Sequence, residues 1–385
     1  MISYLRTANS KVLAGTALLR LDFNTEDNWR MEAAVPTIEF LLRRASKIVI
    51  ISHRGRPDHS LIPAFVKTTA GRRANRKISG VNKKLSLRRD AANLQKFLGR
   101  RVVFVPYMPL QKAKMIISDA PRGSVIVLEN MRFWKGEEVN DPKFAKQLAS
   151  LTDYYVNDAF AVSHRANASV SAITKFLPAF GGLEFEREVR TLSKILKNPK
   201  QPLVFVLGGG KAGDKLGIIK YFKNKAKWFL LGGAAANTIL RLRGMDIGKS
   251  MVDNNKKDTP DLKMIARLKN VALPVDFNIR GDMILDAGPK TTRAFATAIH
   301  NAKTIIWSGP FGVIEKKQYE RGSLAIARAI AKNRKAFSVA GGGETVMFLK
   351  KHKLDKKFGF ISTGGGAMID FLAGKKLPGI EALER

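Results

Sequence analysis

The chain has no cysteine among its 385 residues. Disulfides and thiolate metal sites are therefore excluded, and a reducing compartment fits. No apolar run reaches the roughly 18 residues of a membrane span. The opening Met1-Ile-Ser-Tyr-Leu-Arg6 lacks the basic-then-apolar layout of a signal peptide, so a cytoplasmic location is expected. The five histidines show no HxxxH or HxxE spacing, which argues against a zinc site. Acidic residues are scarce: 32 Asp and Glu stand against 68 Lys and Arg, a formal charge of +36. No acid lies between Asp58 and Asp90, a run holding Lys67, Arg72, Arg73, Arg76, Lys77, Lys83, Lys84, Arg88 and Arg89. Such a run reads either as a solvated basic loop or as a non-specific polyanion contact through segment 59–89. With Phe65 its only aromatic, it offers no base-stacking platform.

What is present is a set of glycine-rich turns. Leu203 to Leu207 is a short apolar, β-branched run, followed by Gly208-Gly-Gly-Lys-Ala-Gly-Asp-Lys215 and then a helical pattern. Strand, glycine turn and helix N-terminus together make an anion site, because free N–H groups and the positive dipole end face one point. This is not a Walker loop, since no Gly-Lys-Ser/Thr follows the spacer. Similar turns recur at Gly232-Gly233, Gly341-Gly-Gly-Glu-Thr345 and Ser362-Thr-Gly-Gly-Gly-Ala367, each after an apolar run. Four such turns predict a parallel sheet that binds a polyphosphate along the C-terminal ends of its strands.

The first half alternates strand and helix signals. Strands are expected at 18–23, 47–51, 102–105, 124–128 and 154–156, and helices at 31–44, 87–98 and 144–151. Its chemistry differs from that of the second half: polar groups and arginines follow the strands, at Asp22, Asn24, Arg30, His53, Arg56, Arg132 and Arg165. Guanidinium groups suit bidentate recognition of phosphate or carboxylate. One half thus reads as built for a compact anion, the other for a nucleotide. That pairing implies group transfer, with closure excluding water. The expected architecture is α/β, with two doubly wound, Rossmann-like domains at 1–180 and 201–370. A connecting hinge helix would occupy 181–200, and a C-terminal segment 371–385 would follow.

The motifs Leu21-Asp-Phe-Asn24, Ser52-His-Arg-Gly-Arg-Pro57, Leu128-Glu-Asn-Met-Arg-Phe133, Tyr155-Val-Asn-Asp-Ala-Phe160, Leu207-Gly-Gly-Gly-Lys-Ala-Gly-Asp-Lys215, Leu273-Pro-Val-Asp276, Trp307-Ser-Gly-Pro-Phe-Gly-Val313, Gly341-Gly-Gly-Glu-Thr345 and Ser362-Thr-Gly-Gly-Gly-Ala367 closely resemble phosphoglycerate kinase. The resemblance runs in order along almost the whole chain. It implies reversible phosphoryl transfer between 1,3-bisphosphoglycerate and Mg-ADP, giving 3-phosphoglycerate and Mg-ATP. It also implies a monomer, a glycolytic or gluconeogenic role, and residues 371–385 packing back on the N-terminal domain.

By resemblance, Asp22, Asn24, Arg30, His53, Arg56, Arg132 and Arg165 hold the phosphoglycerate. Lys211 and Lys215 contact the nucleotide phosphates. Gly232, Gly233, Pro310, Val313 and Glu315 line the nucleoside pocket. Gly342, Gly343, Glu344 and Thr345 face the phosphates, with Glu344 beside Mg²⁺. Arg30, Lys211 and the N–H groups near Gly365 and Gly366 would neutralise the transferring group. Five positions depart from the family pattern: Glu344 for aspartate, Ser308 for asparagine, Asn167 for histidine, Gly210 for alanine and Ala234 for glycine. A rival reading is a basic nucleic-acid-binding protein on a kinase scaffold. The retained Arg30, Lys211, Lys215 and glycine turns, which a binding module would not need, speak against it.

Overall fold

The computed structural model describes residues 2–62, 83–210 and 212–384. Most of the basic run and Lys211 lie outside them. The chain folds as two compact units, Met1–Val189 with Lys376–Arg385, and Arg190–Lys375.

Unit 1 is built on six parallel strands: β1 (Thr16–Arg20), β2 (Lys47–Ile51), β3 (Val102–Val105), β4 (Val125–Leu128), β5 (Tyr154–Asn157) and β6 (Ala179–Gly181). Their order is β3-β4-β2-β1-β5-β6. The sequences of β2 (KIVII) and β4 (VIVL) are nearly all buried. Such continuous apolar runs belong to strands covered by helices on both faces. The helices Trp29–Leu42, Arg88–Leu98, Leu110–Asp119, Pro142–Ala149 and Leu183–Lys197 alternate with the strands. Several begin and end as their sequences dictate. Asp141 caps Pro142–Ala149 by accepting from the Lys143 N–H, with proline in the first turn, and Gly99 ends Arg88–Leu98 in the left-handed region.

Unit 2 repeats the plan with β7 (Leu203–Leu207), β8 (Trp228–Leu231), β9 (Val271–Ala272), β12 (Thr304–Ser308), β13 (Phe337–Gly341) and β14 (Phe360–Ser362), ordered β14-β13-β12-β7-β8-β9 and all parallel. A separate antiparallel hairpin joins β10 (Phe277–Arg280) to β11 (Met283–Ala287). In each six-stranded sheet the strand order reverses once, between β1 and β5 and between β7 and β12. Such reversals open a crevice at the C-terminal strand ends, where ligands bind in open α/β sheets.

Three sequence expectations shift. The first strand ends at Arg20 rather than residue 23, because the chain turns at Asp22, which accepts from the Asn24 N–H, and Asn24 accepts from the Gly55 N–H. The helix expected at 31–44 runs Trp29–Leu42. The division between units falls inside the helix Leu183–Lys197, at Val189 and Arg190, rather than on either side of it.

That helix carries a cluster of carboxylates. Glu184 and Glu188 are buried, as is the nearby Asp158, which accepts from the Phe185 N–H at 3.0 Å. Burial first, then the negative charge of Glu188, pushes Glu184 from 4.5 to about 8. The unfolded chain releases this proton near pH 4.5, while the folded state keeps it up to about pH 8. Between those limits the folded state binds more protons, so stability falls as pH rises and the loss is complete above about pH 8. The thermal midpoint of unit 1 should therefore drop between pH 6 and pH 9, by about 2–4 °C for each kcal/mol in a unit of that length. Glu184→Gln should remove most of that slope. Equal slopes in the two proteins, followed by circular dichroism, would refute this.

Candidate functional site

In unit 1 the C-terminal strand ends gather the expected residues. β1 delivers Asp22 and Asn24, β2 delivers His53 and Arg56, β4 is followed by Arg132 and β5 by Arg165. Asp22 is the hub. Its Oδ2 accepts from Arg30 Nη1 at 2.6 Å, its Oδ1 accepts from the Asn24 N–H at 2.9 Å, and His53 Nδ1 lies 3.7 Å from that Oδ1. Burial would raise the Asp22 carboxyl, but Arg30 first, then His53, the Asn24 N–H and Arg20, together outweigh it and hold Asp22 below the usual carboxylate range. Asn24 Oδ1 in turn accepts from the Gly55 N–H at 2.8 Å, which fixes the β1 and β2 loops to one another.

His53 is almost fully buried, and burial lowers it from 6.5 to about 3, with Asp22 opposing and Arg20, Arg132 and Arg165 adding to the shift. It is a neutral imidazole at physiological pH. Arg20 Nη2 lies 3.3 Å from Nδ1. Since guanidinium can only donate, Nδ1 accepts and Nε2 carries the proton.

A cavity of about 360 Å³ is lined by Arg56, Arg132 and Arg165, with Glu138, Ala166 and Asn167. Arg132 Nε is 3.1 Å from Glu138 Oε1, and Arg132 Nη1 also donates to the Gly55 carbonyl. Arg165 Nε donates to His164 Nε2 at 3.1 Å. Three guanidiniums against one carboxylate leave the cavity net positive. Arg30 differs from them. It is tied to Asp22, and its buried Nε has no hydrogen-bond partner among the described residues.

In unit 2, glycine turns follow β7, β8, β12, β13 and β14. The helices Gly213–Phe222, Gly233–Leu242, Gly343–Lys351 and Gly366–Leu372 have Ala212, Gly232, Gly342 and Gly365 at their N-caps, none with a side-chain cap bond. Of the first-turn donors, the Gly213 N–H donates to Asp253 Oδ2 at 2.8 Å, and those of Lys215, Ala234 and Ala367 donate to the Ala212, Gly209 and Gly364 carbonyls. Uncapped N-termini above one strand edge suit a phosphate chain.

The glycines divide into two kinds. Gly208, Gly232 and Gly309 are packed against neighbouring turns: a Cβ at Gly208 would overlap the Pro310 carbonyl, and one at Gly232 the Phe311 ring. The Gly209 N–H donates to that same Pro310 carbonyl at 2.8 Å, and the Ala234 N–H to the Gly209 carbonyl at 3.1 Å. Gly343 is the other kind, with no atom within 4 Å of its would-be Cβ. Gly342, beside it, has φ +98°, a conformation that favours glycine. Thr345 is buried, and its Oγ1 accepts from the Gly309 N–H at 2.8 Å, so this hydroxyl braces the β12 turn.

Lys215 is buried. Burial lowers its ammonium group, opposed by Asp214 and then Glu344, whose carboxylate is exposed. Val313 donates its N–H to the Leu285 carbonyl at 3.0 Å, which ties the loop after β12 to the hairpin, and Glu315 is exposed nearby in sequence. No cluster of three potential metal ligands occurs among the described residues. The single carboxylate of Glu344 fits Mg²⁺ that keeps most of its ligands as waters and substrate phosphates.

Sequence reasoning missed the supports beneath these groups. Arg20, buried within β1, donates Nε to Ser169 Oγ at 2.9 Å, and Glu137 accepts from Ser169 N and Oγ at 2.9 and 2.6 Å. A charge inside the apolar run TALLR was the available signal. Asp286, at the end of β11, accepts from the Gly322 N–H at 2.7 Å, and burial raises it from 3.8 to about 6. It belongs to the hairpin, which the sequence reading did not contain.

Among known proteins, the family model described as phosphoglycerate kinase matches residues 9–375. A phosphoglycerate kinase of Dictyoglomus turgidum is 37% identical over 396 residues, covering 95% of each chain. One of Geotalea uraniireducens is 40% identical over 398 residues, covering 95% of this chain and 94% of its own. The solved phosphoglycerate kinase of Coxiella burnetii superimposes with a TM-score of 0.78 at 31% identity, covering 100% of this chain and 99% of its own. That of Pyrococcus horikoshii gives 0.82 at 27% identity, covering 99% and 98%.

Proposed function

The chain belongs to the phosphoglycerate kinase family, and on that premise we propose that it moves a phosphoryl group reversibly between Mg-ATP and 3-phosphoglycerate. In the direction of ATP use, a carboxylate oxygen of 3-phosphoglycerate attacks the γ-phosphorus in line. The bond to the ADP oxygen breaks, and the products are the acyl phosphate of 1,3-bisphosphoglycerate and ADP. No general base is required, since the acceptor is already an anion. Positioning and charge neutralisation are what the protein supplies.

The observation that carries this reading is the cavity of about 360 Å³ lined by Arg56, Arg132 and Arg165. Those arginines would hold the acceptor's phosphate, and neutral His53 would donate from Nε2. Arg30, positioned by Asp22, would neutralise the transferring group together with Lys211. Backbone N–H groups at Gly342, Gly343, Gly365 and Gly366 would take the nucleotide phosphates, and Lys215 would add charge there. Gly232, Gly233, Pro310, Val313 and Glu315 would border the nucleoside. Bound through Glu344 and the phosphates, Mg²⁺ would screen the charge of the polyphosphate. Closure over the two bound substrates would keep water from competing as acceptor.

No helix among the described residues is long and apolar enough to cross a membrane. The cytoplasmic, monomeric enzyme remains part of this proposal.

The test is a coupled assay with 3-phosphoglycerate and MgATP. Turnover is expected with the wild type. Arg56→Ala should raise KM for 3-phosphoglycerate about tenfold or more with kcat little changed, as for a lost uniform binding contact. No turnover with a folded wild type, or an unchanged KM in the variant, would overturn the assignment.

A further inference from the structure

The larger of the two described cavities takes no part in the chemistry above. It measures about 450 Å³ and is lined by Arg328, Lys332, Arg334, Lys356 and Lys357, over Ala331 and the buried Leu354. It is formed by two segments of unit 2. One is the last turn of helix Arg321–Lys332 with the residues after it, and the other is the turn Asp355–Lys357. These segments lead into β13 and β14 respectively, so the cavity sits at the N-terminal ends of those strands. The glycine turns lie at the opposite ends. A strand the length of β13 places roughly 16 Å between the two edges.

Two features set this cavity apart from ordinary basic surface. First, none of its five cations has an ion pair or side-chain hydrogen bond among the described residues. The only acid in residues 321–335 and 353–357 is Asp355, which does not line the cavity. The helix C-terminus offers about half a negative charge, far too little to balance five cations. All five are exposed, and like charges lining one cavity repel one another unless an anion joins them.

Second, the rim is fixed. The buried Asn333 donates Nδ2 to the carbonyls of Ile299, His300 and Ala302 at 2.7, 3.1 and 3.1 Å, which pins the turn between Lys332 and Arg334. On the other side the Lys357 N–H donates to the Leu354 carbonyl at 3.0 Å.

We propose that this cavity is a second anion site, one that takes a compact, multiply phosphorylated small molecule. The volume falls within the range of small-molecule sites, and converging guanidinium and ammonium groups are the chemistry for phosphate oxygens. One phosphate leaves most of five cations unbalanced, whereas several phosphates on one molecule bring a charge nearer to theirs. The site is distinct from the phosphoryl-transfer site, and its occupancy is read without any kinase assay.

Inorganic triphosphate is the probe, titrated calorimetrically at 150 mM salt into enzyme saturated with ADP and 3-phosphoglycerate. The wild type should bind one equivalent. Lys332→Gln/Lys356→Gln should weaken that binding at least tenfold while kcat and both KM values stay within twofold. Both lysines are exposed, so the variant should fold, and its thermal midpoint verifies this. Equal affinity in wild type and variant would overturn the proposal. So would the absence of saturable binding at that salt, which would mark diffuse surface charge. Retention of duplex RNA that triphosphate does not displace would also overturn it, in favour of a macromolecular polyanion.

Discussion

Arg30→Ala should lower kcat by about a hundredfold to a thousandfold, the scale of losing one preorganised electrostatic contact in the transition state. The binding of 3-phosphoglycerate should weaken far less. Arg30 is singled out by its surroundings. Its side chain is 13% exposed, its Nη1 is held 2.6 Å from Asp22 Oδ2, and its Nε lacks a partner among the described residues. A guanidinium positioned by a carboxylate yet short of one partner is poised for a further anion. Removing it also leaves Asp22 buried with its main counter-charge gone, so the variant should lose thermal stability, with a cost of about 1–3 kcal/mol. Arg30→Lys separates the two effects. It should recover most of the stability but little of the rate, because a single ammonium cannot reproduce the guanidinium geometry. Steady-state kinetics and thermal denaturation of the three proteins decide this. A kcat within threefold of wild type in Arg30→Ala would remove Arg30 from the chemistry.

The second large effect is expected from two alanine substitutions with opposite outcomes. Gly208→Ala places a methyl group against the Pro310 carbonyl oxygen, and the atoms it meets are all backbone of Gly309 and Pro310, which cannot swing aside as a side chain would. Overpacking of this kind costs about 1–3 kcal/mol or more, and it should unlock the β7, β8 and β12 turns together. Gly343→Ala meets no atom within 4 Å and should fold as the wild type does. Its methyl group would occupy the space where a phosphate approaches the first turn of helix Gly343–Lys351, so KM for MgATP should rise about tenfold or more. A Gly208→Ala protein with an unchanged thermal midpoint would show that the turns are not interlocked. An unchanged KM in Gly343→Ala would show that phosphate does not approach there.

These two glycines also illustrate how far the sequence could be read. The clusters announced strand, turn and helix, and the sheets carry them where expected, after β7, β8, β13 and β14. The sequence could not say which glycines touch each other and which stay open, because that depends on strand order. β7 and β12 are neighbours in the sheet but about a hundred residues apart in the chain. The same limit hid Arg20, Glu137 and Ser169, which meet from β1 and two separate loops. Helix Leu110–Asp119 went unassigned, with exposed apolar residues such as Met115 and Ile116 blurring its stripe. The hairpin β10–β11 escaped for a similar reason, as Ile279 and Met283 face solvent. By contrast, the positions of Arg56 and Arg132 in the fold could be read from the sequence, because each comes a few residues after a strand, where turn chemistry is local.

Unit 1 is completed by residues Lys376–Arg385, where the Gly379 N–H donates to the Ser163 carbonyl at 2.8 Å and Glu384 bridges Ile2. The ribosome therefore makes the whole of unit 2 before it makes the Lys376–Arg385 segment of unit 1. Unit 2, one unbroken segment, can fold as it emerges, whereas unit 1 must wait with the surface around Ser163 uncovered. A defect confined to the glycine turns of unit 2 would thus prolong the time that unit 1 spends unfinished. Loss of yield from such variants would then register as aggregation through the half of the molecule that was never altered.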